Sequence, residues 1–348
     1  MVNSGSLIGE RMPESLLKYA AKKTLFAVLV FMLMLTLIFF LMRILPGDPI
    51  STMWPPDTPP EQIQELKHAF GLDKPLPVQF VDYLSSILRG DFGKSYVTGM
   101  PVLFYVGSRY AITIELMLGA FFLSVIIGIP LGVVSALKYG TITDHAIKIV
   151  QLATWAIPSF WLAQMLQMTF AVQLGWLPVF GRMPPTMSLN VITGFMTLDS
   201  ILRLNPQALF ASIQYLVLPS LSLAAFSSAR LCRVSRAEML NSMSEDYITT
   251  ARAKGLKELV VVYKHAFRNA LIPTVTVMSL NIAGLMGGAV LVEQVFALPG
   301  LGSLLIQSVL NRDFNVIQGV VIIFTVVVVV INTVTDILYR VLDPRVKF

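Results

Sequence analysis

Long apolar stretches set the plan of this chain. They lie at about 24–42, 111–134, 149–174, 216–231, 271–292 and 316–335. At about 1.5 Å of helix rise per residue, such runs cross or nearly cross a hydrocarbon core of roughly 30 Å. The pattern predicts an all-α integral membrane protein with six transmembrane helices. Polar stretches divide it into an N-terminal segment (1–23), a first helix (24–42), a sizeable first loop subdomain (43–110), a five-helix core (111–336) and a short tail (337–348). The first apolar run is too long for a cleaved signal and has no A-x-A-like site after it, so a retained span is expected.

Within the first loop, Pro59 and Pro60 open a helix over 61–70, with Glu61 at its positive end and Gly71 as its stop. Ile63, Leu66 and Phe70 would line one face. The segment PLPVQFVDYLSSILRG is expected to begin extended and become helical up to Gly90. In the second span, Gly128 and Gly132 carry a GxxxG spacing that lets helices approach closely, and Pro130 suggests a kink. A short turn over 137–148 precedes the third span, which contains Pro158. A second outer loop is expected over 174–215.

Composition supports the membrane reading. The chain is 55% hydrophobic and only 13% charged, against about 25% charged in an average soluble domain. The formal charge of +6 follows orientation rather than nucleic-acid binding. With both termini and the loops 135–148 and 230–270 placed inside, 17 of the 26 basic residues fall inside. That predicts a plasma-membrane protein with both termini cytoplasmic. One cysteine, Cys232, excludes an internal disulfide, and His68, His145 and His265 lack ligand spacing, so no metal site is expected. PGLG at 299–302 lacks the GK[ST] ending of a phosphate loop, and no GxSxG is present. The chain is therefore expected to be non-catalytic.

Four polar residues inside spans are candidates for a translocation path: Glu115, Gln164, Gln167 and Asn281. An ionisable group in a span is a functional hypothesis by default. The competing reading of Glu115 is a carboxylate that reaches the interface or bonds a neighbouring helix.

The stretch 245–273, EDYITTARAKGLKELVVVYKHAFRNALIP, lies between two spans yet is not a slack linker. Ser244 or Asp246 can cap a helix that Gly255 ends. Tyr247, Ala251 and Gly255 are spaced four apart on one face, large and then small, suited to lying against another surface.

This stretch resembles the cytoplasmic coupling loop of ABC importer permeases. Aligned on Gly255, the family's EAA positions hold Thr249, Thr250 and Ala251, so only the last alanine and the glycine match. The string TARAKG followed by HAFRNALIP is similar instead to the oligopeptide/dipeptide branch. LPGDP (45–49), GLDKPLPVQ (71–79), RGDFGKS (89–95), PSFW (158–161), LGWLP (174–178), the segment around PGLG and the ending LDPRVKF also look like that branch, in order. The resemblance implies a coupling loop over 236–270, with Tyr247, Thr250, Ala251, Arg252, Ala253, Lys254 and Gly255 meeting an ATPase, and Ala251 and Gly255 needing to stay small. It further implies a second homologous permease, two ATP-binding subunits that hold ATP and Mg, an extracytoplasmic substrate-binding protein, and surrounding membrane lipid. The cargo would be di- or oligopeptides. Oligosaccharides or nickel are the alternative cargoes, and a stand-alone secondary transporter is the alternative of another class.

Overall fold

A computed structural model of the chain describes residues 16–44, 59–69 and 71–342. LPGDP, Phe70 and all but the first residue of the LDPRVKF ending lie outside the described residues. The described residues are helical or irregular, with one isolated bridge between Lys94 and Pro101.

The helices in order are α1 (Leu16–Ile44), α2 (Pro60–Ala69), α3 (Leu76–Leu88), α4 (Val102–Gly107), α5 (Tyr110–Leu137), α6 (Ile142–Ala156) and α7 (Ser159–Leu166). Then come α8 (Met196–Leu202), α9 (Pro206–Met243), α10 (Asp246–Ala253), α11 (Arg268–Val295), α12 (Leu301–Leu310) and α13 (Phe314–Leu342). Four stretches are long and apolar enough to cross a membrane: Thr24–Ile44, Val102–Leu137, Pro206–Met243 and Phe314–Thr333. Two bent pairs bring the number to six if each is one span.

The bends have local causes. Ile157 is extended and Pro158 follows it, so α6 stops and α7 sets off at 105°. The third apolar run is thus two helices meeting at a corner, not the straight helix its hydropathy suggests. The other bent pair, Glu258–Ile282 and Gly284–Val295, turns by 46°. The fourth run is only the middle of α9, which is 38 residues long. Asn205 caps it by accepting from the Ala208 N–H at 3.0 Å, Pro206 occupies its first turn, and it continues through Pro219. Arg230, Arg233 and Arg236 therefore stand on helix rather than in a loop.

α5 and α9 form the centre. Their approach is close because the residues between them are small. A Cβ on Gly128 would lie 2.7 Å from the Ser228 carbonyl oxygen, and one on Gly132 would lie 2.6 Å from that of Cys232. Near the start of α5, Gly119 makes room for Ser220 in the same way. Around this seam one core joins Leu116 and Ala120 of α5, Leu218 and Leu223 of α9, Leu285 and Ala289 of α11, and Phe296. A second joins Ile129, Val133 and Ala136 at the end of α5 to Met239 of α9 and to Ile248 and Ala251 of α10. α13 packs on α11 and α1, with Ile38 and Met42 meeting Phe314 and Ile317.

The first loop follows its expected outline. α2 and α3 occupy the two predicted stretches, and Gly71 and Gly90 end them at φ of +65° and +78°. Gln79 of α3 accepts from Arg43 Nε at 2.8 Å and donates to the Lys74 carbonyl at 2.7 Å, tying the loop to the end of α1.

A matched pair of substitutions tests the seam. Gly132→Ala intrudes on α9 backbone, whereas Gly107→Ala adds a methyl group to open space. Gly132→Ala should lose about 1–3 kcal/mol and lower the thermal midpoint in mild detergent, while Gly107→Ala should leave it in place.

Candidate functional site

The two ends of the α5–α9 pair are built differently. At the end where α5 stops, α9 runs out at Met243 and the chain turns through Ser244 and Glu245 into α10. Glu245, in an extended conformation, occupies the N-cap position without a side-chain bond, so neither expected cap is used. Ile248 and Ala251 point inward and are 0% and 5% exposed. Tyr247 Oη lies 2.5 Å from Ser242 Oγ, which donates to the Ala266 carbonyl at 2.9 Å. Arg252 Nη2 pairs with Glu258 Oε1 at 2.7 Å across the turn. Gly255 has φ +74°, and its N–H donates to the Arg252 carbonyl at 2.9 Å. A left-handed residue here closes the helix and reverses the chain, a geometry that favours glycine.

These contacts sort the seven expected coupling residues. Tyr247, Thr250, Arg252, Ala253, Lys254 and Gly255 are exposed; Ala251 is not. Ala251 must be small because it packs between Ile248 and the ends of α5 and α9. Gly255 must be glycine-like because of its φ, with nothing within 4 Å of its added Cβ. The free face is instead Thr249, Thr250 and Ala253, continued by Leu256 and by Leu259, which is 72% exposed. The chain then rejoins the bundle through one helical turn at Glu258–Val260 and a wider π-type stretch at Val261–Phe267.

Beside α10 sits a lock that sequence reasoning missed. Asp144 is 0% exposed and accepts from Ser135 Oγ at 2.6 Å, from the Gly140 N–H at 3.1 Å, and from Arg236 Nε and Nη2 at 2.9 and 3.0 Å. Lys148 Nζ is 3.2 Å away. One carboxylate thus joins the end of α5, the start of α6 and α9. TITDHA in a turn followed by a helix, with arginines opposite, was the available signal.

At the end where α5 starts, polar side chains hold loops rather than line a path. Glu115 is 6% exposed. It accepts from Arg182 Nη2 at 2.9 Å, from the Thr197 N–H at 2.7 Å and from Thr197 Oγ1 at 2.5 Å. These bonds hold the carboxylate against the 182–197 loop. Gln167 gives both amide hydrogens away, to the Val179 and Val295 carbonyls at 2.9 and 3.0 Å. Gln164 is exposed on α7, and Asn281 is buried in α11 with its amide nitrogen unpartnered. No hydrogen bond joins any two of the four.

Three other acids anchor this end. Asp199 gathers the Ile192, Thr193 and Gly194 N–H groups and Thr193 Oγ1. Burial pushes its carboxyl up, but the hydrogen bonds from Thr193, Ile192 and Gly194 outweigh burial and hold it below the usual carboxylate range. Glu293, 0% exposed, accepts from Thr113 Oγ1 at 2.5 Å and from the Ser303 N–H at 2.9 Å, at the start of α12. This explains PGLG: a Cβ on Gly300 would fall 2.4 Å from the Glu293 carboxyl carbon, and one on Gly302 would fall 2.5 Å from Val290 Cα. Asp313 accepts from Ser95 Oγ at 2.5 Å and from the Tyr96 N–H at 3.2 Å. Asn315 donates to the Lys94 carbonyl at 2.9 Å, so RGDFGKS of the first loop docks on NRDFN at the start of α13.

Comparison with known proteins gives the family. Residues 128–348 match the binding-protein-dependent transport system inner membrane component, and residues 16–117 match its N-terminal model. The chain belongs to that family of multi-pass membrane permease subunits. It is 38% identical over 312 residues to the di/tripeptide transport system permease protein DppB of Pseudomonas aeruginosa, covering 89% of this chain and 93% of that one. It is 36% identical over 333 residues to the dipeptide transport system permease protein DppB of Alkalihalophilus pseudofirmus, covering 96% and 100%. It is 37% identical over 331 residues to the oligopeptide transport system permease protein AppB of Bacillus subtilis, covering 95% and 99%. An inward-facing structure of the MetNI methionine ABC transporter shares the fold at a TM-score of 0.52 and 18% identity, covering 69% of this chain and 98% of that one.

Glu115→Ala should strand Arg182, which is only 16% exposed, and lose about 3–5 kcal/mol. Adding Arg182→Leu should restore part of the loss, as a double-mutant cycle on thermal midpoints would read. Asp199 is lowered when folded, so its contribution is full above the usual carboxylate pKa of about 3.9 and is lost as pH falls through its lower folded value. Acid titration of loop protection by hydrogen exchange should show that loss, and Asp199→Asn should remove the pH dependence.

Proposed function

We propose that this chain forms half of the translocation pathway of an ATP-driven importer of di- or oligopeptides. A second, homologous permease supplies the other half, and two ATP-binding subunits hold ATP and Mg. An extracytoplasmic binding protein delivers the cargo. The chain itself catalyses nothing. The peptide cargo rests on the relatives, which are named as di/tripeptide, dipeptide and oligopeptide permeases. Both termini and α10 face the cytoplasm in this reading, supported by the basic residues around α10 and at both chain ends.

The single observation that carries the coupling role is the two-sidedness of α10. Its inner face, Ile248 and Ala251, is part of the core at the end of the α5–α9 pair. Its outer face, Thr249, Thr250 and Ala253, is small and open. A push on the outer face cannot be absorbed by a loose loop. It is delivered to Val133 and Ala136 of α5 and Met239 of α9. The Asp144–Arg236 lock carries α6 along, and the corner at Ile157–Pro158 is where α6 meets α7. ATP-driven closure of the partner subunits would move these helix ends as one body and switch the pathway between inward and outward access.

Ala253→Trp tests this without disturbing the fold, because Ala253 is exposed and helical. Membrane insertion and thermal midpoint should be unchanged. ATP-driven peptide uptake into proteoliposomes should fall by at least about tenfold, the loss of one good contact. Undiminished uptake with Ala253→Trp would remove the outer face of α10 from coupling.

A further inference from the structure

The PSFW segment, 158–161, makes the corner between α6 and α7. Ala156, Ile157, Pro158 and Ser159 line a pocket of about 310 Å³ at that corner, closed by residues of α9 and α11. The corner falls within an apolar run, where backbone without helical partners is tolerated only inside protein or along a water-filled cavity. Ile157 and Pro158 are both extended, so the last carbonyls of α6 and the first N–H groups of α7 lose their helical partners, and no side chain caps α7. Two hydroxyls join these backbone groups. Ser227 of α9 is 3% exposed, lines the pocket and has no hydrogen-bond partner among the described residues. Its oxygen is not sealed within the packing, whereas that of Ser220 is. Ser159 Oγ is likewise unpartnered among the described residues. It lies 3.7 Å from where a Cβ on Gly288 would stand, so it faces α11.

The walls say which ligand fits. Trp155 stacks on Phe226 with ring centroids 6.1 Å apart, and the Arg233 guanidinium lies 5.2 Å over the Trp155 ring. The aromatic pair is thereby fixed in place, yet Trp155 stays 44% exposed. On α11, Gly284 lines the pocket with nothing within 4 Å of an added Cβ, so its missing side chain leaves the space open. Hydroxyl and N–H donors, carbonyl acceptors and an aromatic wall in one pocket match a short stretch of peptide. A peptide carbonyl accepts from Ser227, Ser159 or the start of α7, a peptide N–H donates to the end of α6, and one apolar side chain lies on Trp155 and Phe226. A lipid chain would leave the polar groups unsatisfied, and no carboxylate lines the pocket to hold a cation. The volume sits at the lower end of the range of small-ligand sites, about 300–1,000 Å³. The geometry points to a transit site for the cargo peptide at the α6–α7 corner, gripping its backbone and one apolar side chain. This inference rests on the importer reading and adds to it a cargo contact within this chain.

The test uses the full chain assembled in proteoliposomes with the second permease, the ATP-binding subunits and the binding protein. The probe is the dipeptide alanyl-4-azidophenylalanine, illuminated during ATP-driven uptake, and only label recovered on this chain is counted. Mass spectrometry should place that label on 155–159 or 226–227. Gly284→Leu fills the pocket without striking a neighbour, so it should keep the parent's thermal midpoint. It should cut labelling by at least about tenfold, the burial of one apolar side chain. Gly287→Leu adds the same bulk into open space outside the pocket and should keep the labelling. Ser227→Ala removes a hydroxyl that has no protein partner, so the variant should be as stable as the parent and lose labelling by about fivefold, one net hydrogen bond. Label on other segments, in an assembly that imports the dipeptide, would overturn the pocket and leave the importer standing. So would equal labelling in the parent and Gly284→Leu. Equal loss in Gly284→Leu and Gly287→Leu, with the second permease missing from the purified assembly, would assign this face of α11 to that partner and overturn the pocket. A parent assembly that takes up no dipeptide with ATP would overturn the importer reading and the cargo with it.

Discussion

Backbone-to-backbone contact between α5 and α9 is the constraint on which the rest depends. In a lipid environment, apolar side chains gain little by leaving one hydrocarbon for another, so helices associate through close packing and polar contacts. Gly119, Gly128 and Gly132 provide that closeness along most of α5, each against a serine or a carbonyl of α9. Because the seam is tight at both ends, α5 and α9 behave as one rod. Whatever is fastened to either end of the rod is mechanically connected to the other.

Buried carboxylates do the fastening. At one end, Glu115, Asp199, Glu293 and Asp313 each collect hydrogen bonds from a loop and hold it against a helix end. At the other end, Asp144 binds α5, α6 and α9 together next to α10. The pattern contrasts with a transporter whose intramembrane acids bind ions in the spans. Here the acids bind loops and helix ends, and the outward surface of α10 is left open. That division of labour fits the proposed pathway subunit driven by another chain.

The helical plan and the shape of the segment ending at Gly255 were legible from hydropathy and from that glycine, since apolar runs and a left-handed stop are local features. Gly128 and Gly132 were legible for the same reason, their spacing being visible without a partner. What stayed hidden depended on distant pairing. The donors to Glu115, Arg182 and Thr197, could not be foreseen because they lie far along the chain in a long loop. Asp144 drew no attention because Arg236 is 92 residues away. Glycines in PGLG suggested a turn, but only the packing of Glu293 beneath them gives the reason. The corner at Ile157–Pro158 was concealed because hydropathy carries no record of direction. Ala251 was expected to be small against a partner, and the neighbour it packs on is this chain's own core.

The most direct measurement exploits the single cysteine. Cys232 is 3% exposed, so Ala253→Cys creates one accessible thiol on the outer face of α10. With the chain assembled beside its ATP-binding subunits, a short bifunctional reagent on that thiol should link it to an ATP-binding subunit, and the yield should change on adding ATP. A thiol that reacts only from the extracytoplasmic side, or that links to no ATP-binding subunit in an assembly active in uptake, would contradict the account.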